Sequence, residues 1–317
     1  TVVSGSMTIS GSIPGQRGIF IGGYRQAASP YGAAGASTQL DSITISSLGN
    51  SAAFGDSQET NQDSSGVGSI QNTGLIHEGD SSNTLSYIPI DTPSDATDFG
   101  NLAQVGQYGA GTLMNGSNNR AVIGGLKAPA YLEMDFVNVR VPGNAIDYGD
   151  LTSGKVARPS AGSNGVNDRG IFAGGAWGSP IGPYANDSID YITISTTGDA
   201  TSFGNTKTKN YRSGAATNDL NDRMVLFWST TRMDYITIST PGNAQDFGDH
   251  GNDSQGNWGS ATAVSNGVDE RAVTAGGSPR TNSMNYITIS TLGNSFDFGD
   301  LITGVYGYKG GLSNGAQ

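Results

Sequence analysis

Apolar and polar residues alternate along this chain in short bursts, and one burst recurs. In Tyr191-Ile192-Thr193-Ile194-Ser195 aromatic and aliphatic side chains alternate with Thr and Ser. A period of two is the mark of a half-buried strand. Close copies begin at Tyr235 and Tyr286, and weaker ones at Ser42, Tyr87 and Phe136. A turn such as Thr197-Gly198-Asp199 follows, and then an aromatic–Gly–Asx step. That step occurs at Phe54-Gly55-Asp56, Phe99-Gly100-Asn101, Tyr148-Gly149-Asp150, Phe203-Gly204-Asn205, Phe247-Gly248-Asp249 and Phe298-Gly299-Asp300. Successive aromatics lie 45, 49, 55, 44 and 51 residues apart.

A second element precedes each burst. It opens on Arg and closes on paired glycines at Arg17 to Gly23, Arg120 to Gly125, Arg169 to Gly175 and Arg271 to Gly277. Two copies depart from the pattern. Between Thr73 and Gly79 the Arg is lost and Glu78 stands for a glycine, and after Arg223 the pair becomes Trp228-Ser229. A Gly/Ala-rich run ending in a turn, such as Ser163-Asn164-Gly165, comes before this element. Each repeat thus offers four short strands, and four strands per repeat of this length predict a β-propeller blade. Small residues belong on the innermost strands, where blades crowd the axis. The fold class read from the sequence is all-β: a six-bladed propeller over residues 17–317, with a lead-in at 1–16. The last residues, Gly311-Leu312-Ser313, match the first strand of a repeat whose second strand is Arg17 to Gly23. One blade is therefore expected to combine both ends of the chain and close the ring, removing open sheet edges.

Composition agrees with this. The chain has 49 Gly in 317 residues, about twice the usual share of roughly 7%. Such a chain cannot be mostly helical, because an interior Gly costs about 1 kcal/mol relative to Ala. With 16 Lys+Arg against 27 Asp+Glu the formal charge is −11, which argues against binding a phosphate backbone. The absence of cysteine removes disulfides and thiolate chemistry. No apolar run reaches the ~18 residues of a membrane span. Starting at Thr1, the sequence reads as a processed or excised polypeptide.

The paired glycines after a hydrophobic strand, followed by an aromatic strand, resemble kelch-type propellers. The phrase Asp190 to Asn205, DYITISTTGDATSFGN, is similar to repeats of tailed-phage and marine-virus proteins of the tail-fibre or virion structural type. That resemblance covers Arg17 to the C-terminus and brings no catalytic residues with it. It implies a virion exterior location, with other virion proteins and a host cell-surface glycan or protein as partners.

Enzyme signatures are sparse. There is no HExxH and no phosphate-binding GxxxxGK[ST], and His77 and His250 are the only histidines. Galactose-oxidase chemistry shares a kelch-type fold but needs a cysteine-crosslinked tyrosine. Paired-carboxylate glycoside hydrolysis stays formally open, yet most Asp residues fall at repeat positions. The sequence therefore predicts no enzyme, no cofactor and no metal. An ion held by Asp249-His250-Gly251-Asn252-Asp253 through oxygen ligands competes there with an ordinary loop. Arg17, Arg120, Arg169, Arg223 and Arg271 are expected to bind an Asp or a backbone carbonyl of their own or a neighbouring blade. The recurrent Asp56, Asp150, Asp249 and Asp300 are candidates for bidentate pairing with them, or for capping turns. His77-Glu78 reads as repeat decay.

The connection after the glycine pair varies: 19, 8, 11, 16, 6 and 9 residues to the next aromatic position. Blades one and four carry the long loops, with Tyr24, Arg25 and Tyr31 in one and Trp177 and Tyr184 in the other. Insertions in repeat proteins collect on one face, and exposed Tyr, Trp and Arg anchor interfaces. These five are the candidate binding residues. The functional expectation is a non-enzymatic virion structural protein presenting loops for recognition. A cellular extracellular adhesin and a carbohydrate-active enzyme are the alternatives.

Overall fold

In the computed structural model, described at residues 16–25, 35–61, 64–68, 72–79, 82–106, 109–114, 119–126, 132–152, 158–163, 168–175, 186–210, 214–218, 221–228, 232–251, 262–266, 270–277, 281–306 and 310–313, six antiparallel blades form a β-propeller. Written from the axis outward, blade 2 is Ser65–Gly68, Thr73–His77, Ser82–Pro89 and Thr97–Gly106. Blade 3 is Gly111–Met114, Arg120–Leu126, Glu133–Asn138 and Ile146–Asp150. Blade 4 is Ser160–Ser163, Arg169–Ala173, Asn186–Thr193 and Thr201–Asn210. Blade 5 is Gly214–Asn218, Arg223–Phe227, Arg232–Thr237 and Gln245–Asp249. Blade 6 is Thr262–Ser265, Arg271–Ala275, Thr281–Thr288 and Phe296–Tyr306.

Blade 1 takes its innermost strand, Gly310–Ser313, from the far end of the chain. That strand pairs with Arg17–Ile21 through Gly18↔Ser313, Ile19↔Leu312, Phe20↔Gly311 and Ile21↔Gly310. Gly35–Thr44 and Ala52–Asn61 complete the blade. The expected closure is therefore present. Closure goes further than four strands per blade: Tyr24–Arg25 forms a short strand between Tyr306/Val305 of blade 6 and Ala36/Gly35 of blade 1. Blades 1 and 6 are thereby fused into one nine-stranded sheet.

Both faces of every blade are covered, which explains why the second strands read as continuous apolar runs. Six apolar clusters fill the six gaps, each built from two neighbouring blades. Between blades 1 and 2, for example, Ile19, Ile21, Leu40 and Phe54 meet Ile76, Ile88 and Ile90. Ile171 and Phe203 meet Met224, Leu226 and Trp228 between blades 4 and 5. Truncating one such buried Ile or Leu to Ala costs about 2–5 kcal/mol. On the innermost strands some positions admit no side chain at all. A Cβ on Gly111 would lie 2.8 Å from the Pro159 carbonyl oxygen of the next blade.

Strand direction sorts the connections between two faces. Hairpins joining the first to the second strand and the third to the fourth share one face, here the turn face. The connections that cross from second to third strand, and from one blade to the next, share the other, the crossover face.

Candidate functional site

On the turn face one contact is repeated around the ring. The tip of each third-to-fourth hairpin lies on the aromatic–Gly–Asx step of the preceding blade. Backbone amides of Gly143, Gly198, Gly293 and Gly49 donate to the carbonyls of Phe99, Tyr148, Phe247 and Phe298 at 2.7–3.0 Å. Two residues on, Ala96, Ala145, Ala200, Ala244, Ser295 and Ser51 donate to Asp56, Asn101, Asp150, Asn205, Asp249 and Asp300. The side chains of Asp95, Asn144, Asp199, Asn243, Asn294 and Asn50 return the bond by accepting from the amides of those same Asx residues. The glycine in the step is required by closeness. A Cβ on Gly100, Gly149, Gly204 or Gly248 would stand 2.5 Å from the carbonyl carbon of the glycine in the next blade. The last link, Gly299 against Gly49, closes the ring.

The arginines add a second link across the same gaps. Arg120, Arg223 and Arg271 donate to the carbonyls of Ile194, Ile289 and Ile45 in the following blade. Arg17 reaches Ile90 and Asp91, and Arg169 reaches Ile238 and Ser239. Four guanidinium groups lie 4.3–4.7 Å from the ring centroid of their own blade's Phe136, Tyr191, Tyr235 or Tyr286. The carbonyl alternative expected from the sequence is thus realised. At the recurrent carboxylates it is the backbones of Asp56, Asp150, Asp249 and Asp300 that are held across the gap, and the Asp56 side chain accepts instead from Thr38 Oγ1 of its own blade at 2.7 Å. In blade 3 a tyrosine replaces phenylalanine, and Tyr148 Oη donates to the carbonyls of Thr193 and Thr196 at 2.6 and 2.8 Å. Burial pushes its hydroxyl up to about 12.

The crossover face is built on a ring of buried polar side chains just before each third-strand aromatic: Asp41, Ser86, Asp135, Asp190, Asp234 and Asn285. Two of them hold the preceding blade where its outer strand leaves. Asp135 accepts from the amides of Ala103 and Gln104, and Asp190 from the amide and hydroxyl of Thr152. Burial raises both carboxyls above their usual range, while those donors pull them back.

Blade 2 has Ser86 at this position, and here the reading of His77-Glu78 as decay is corrected. Glu78, just past the end of the neighbouring strand, places its carboxylate against the same amides of the preceding blade. It accepts from the amides of Gln58 and Glu59 at 3.2 and 3.3 Å and from Ser86 Oγ. The departure from glycine compensates for the lost aspartate. Burial raises Glu78, and it lowers the neighbouring His77 to about 4. Blade 5 departs at the same position: Trp228 Nε1 donates to Asp234 Oδ2 at 2.7 Å, and Arg232 Nε to Oδ1 at 2.9 Å. Sequence reasoning missed this exchange because it compared single positions along the repeat. The paired change at 78 and 86 was the available signal.

Of the candidate binding residues, Tyr24 is half-buried on the strand that fuses blades 1 and 6, and Arg25 follows it there. Tyr31, Trp177 and Tyr184 lie outside the described residues, as do Asn252 and Asp253 of the candidate cation loop. His250 is buried, with Nε2 3.1 Å from the Trp228 carbonyl oxygen. Among the described residues no group of three or more His, Asp or Glu side chains is placed to hold a metal. A cavity of about 40 Å³ lies on the axis among Thr112, Met114, Ser163, Thr217 and Ser265. Three of its hydroxyls are engaged: Ser163 donates to Met114, Ser265 to Thr217, and Thr112 Oγ1 pairs with Ser65 Oγ.

No family model matches the chain, and no curated protein matches it. Among solved structures it is similar to a fungal alcohol oxidase of the AA5 family, solved in complex with copper. The TM-score is 0.50 at 12% identity, covering 74% of this chain and 53% of that one. This chain therefore spans about half the length of that structure. At such identity the likeness concerns the fold alone.

Proposed function

We propose that this propeller is a non-catalytic structural component on the exterior of a viral particle, bound to other virion proteins and offering its crossover face to a host-surface glycan or protein. The observation that carries the assignment is the repeated phrase best seen at Asp190 to Asn205, with its resemblance to virion repeats. Supporting recognition is the contrast between a turn face repeated blade by blade and a crossover face whose polar groups differ from blade to blade. The charge of −11 makes a nucleic-acid partner unfavourable. Oxidase chemistry of the kind named for the structural neighbour is not carried over, since the chain has no cysteine and its histidines are His77 and His250, both buried. Mass spectrometry of purified particles should find this polypeptide, and its absence would remove the viral reading. Glycan-array and cell-binding assays should show binding, and uniformly blank results would leave only a structural role.

A further inference from the structure

The gap between blades 4 and 5 breaks a rule kept by the other five. The fourth residue after the outer-strand aromatic has its amide held by a side chain of the next blade everywhere else. Gln58 is held by Glu78, Ala103 by Asp135 and Thr152 by Asp190. Gly251 and Ile302 are held instead by Ser295 Oγ and Ser51 Oγ. The equivalent residue in blade 4 is Lys207. Among the described hydrogen bonds no side chain holds its amide or that of Thr208. The aspartate of blade 5, Asp234, has both oxygens occupied by Trp228 and Arg232.

The backbone there keeps the shape that accepts a carboxylate elsewhere. In blade 1, where the amides of Gln58 and Glu59 hold Glu78, Ser57 Oγ donates to the Glu59 carbonyl at 3.2 Å. In blade 4, Thr206 Oγ1 donates to the Thr208 carbonyl at 2.8 Å. The charge has also changed. Thr201–Asn210 has no carboxylate and contributes Lys207 and Lys209, both exposed, whereas every other outer strand carries at least one Asp. Among the described residues Lys207 has only a long contact of 3.9 Å to Asp246, itself 65% exposed.

We propose that the amides of Lys207 and Thr208, with the ammonium groups of Lys207 and Lys209 beside them, form a binding site for the carboxylate of an acidic sugar. The same backbone turn already holds a protein carboxylate in blade 1, and two amides with flanking cations recognise a carboxylate through charge-assisted hydrogen bonds. The inference rests on the recognition reading above for the sugar, and on the 4–5 gap alone for the carboxylate.

Titrating the isotope-labelled full chain with glucuronate and with N-acetylneuraminate at low salt tests it by amide NMR. The Lys207 and Thr208 amides should shift and saturate, while those of Ala103 and Gln104, held by Asp135, stay still. Lys207→Gln with Lys209→Gln should weaken binding by about fivefold, and the methyl ester of glucuronate should not bind. No shift, an equal response to the ester, or indifference to the two lysines would overturn the site. A glutamate tripeptide binding more tightly than either sugar would overturn the ligand class. Neutral glycans captured elsewhere on the chain, with a silent titration, would overturn this site and leave recognition standing. A positive titration with blank cell-binding would do the reverse.

Discussion

The two faces of the ring solve the same problem differently. Each must join blades whose strands are not paired in one ladder, except where Tyr24–Arg25 bridges blades 6 and 1. The turn face does so with main-chain groups: a glycine pressed against the next hairpin, a carbonyl accepting from it, and an Asx side chain returning the bond. Main chain cannot be mutated away, and the Asx staple of this face recurs in all six gaps. The crossover face uses buried side chains, which can be exchanged. It shows two carboxylate arrangements, an aspartate and a glutamate at the end of the neighbouring strand, whereas at the 5–6 and 6–1 gaps a serine of the turn-face hairpin holds the amide instead. Variation collects where the linkage tolerates substitution, and any specificity of the molecule has room to develop there.

The comparison breaks most severely if the backbone contact is removed. Gly204→Val places a side chain into the Gly242 peptide. It should destabilise by about 3 kcal/mol or more, read as a drop in denaturant midpoint. Little loss would show that the hairpin tips are not close-packed.

Next in size is the exchange in blade 2. Glu78→Ala leaves two amides and a hydroxyl without their charged acceptor and should cost about 2–3 kcal/mol. Glu78→Gly combined with Ser86→Asp restores the arrangement of blade 3 and should recover most of that loss. Failure of the double variant to improve on Glu78→Ala would mean the two positions are not equivalent.

These two predictions also mark what was readable beforehand. The alternation at Tyr191 and the aromatic–Gly–Asx steps gave four strands per blade, blade count and closure through Gly311 to Ser313, because propeller geometry follows from local period and repeat length, but not the short extra strand at Tyr24–Arg25. The roles of Glu78 and Trp228 were not readable, since each acts on a partner displaced in sequence and meets it only when strands align. The five Arg could be assigned a partner type but not a choice between carbonyl and carboxylate. That choice depends on which group of the next blade sits opposite.

A pH effect of similar or slightly smaller size separates the two kinds of buried group. His77 has a folded value of about 4 against 6.5 in the unfolded chain. Its contribution is therefore present above about pH 6.5 and lost as pH falls from there through about 4. Glu78, Asp135 and Asp190, raised by burial, act oppositely: their contribution is complete below the ordinary carboxylate range and lost as pH rises. Replacing His77 by Gln should reduce the fall in stability between pH 7 and 4 by about 2 kcal/mol. An unchanged pH profile would show that His77 is not the group lost in acid.

The smallest effect concerns the arginines. Arg169→Ala removes two carbonyl bonds and the stacking on Tyr191, and should cost about 1 kcal/mol. Blade 2 has Thr73 at this position, and Thr73→Arg should gain a few tenths of a kcal/mol. Thermal melts of both variants check the pair.

The central claim is a ring stapled at six gaps and closed within blade 1, where the two ends of the chain pair. Hydrogen exchange at the stapling amides measures this gap by gap. Gly49, Ser51 and Asp300 at the closing gap should be protected to within about tenfold of Gly198, Ala200 and Asp150 at the gap between blades 3 and 4. Free exchange at the first three amides, with protection kept at the others, would show an open ring and contradict the account.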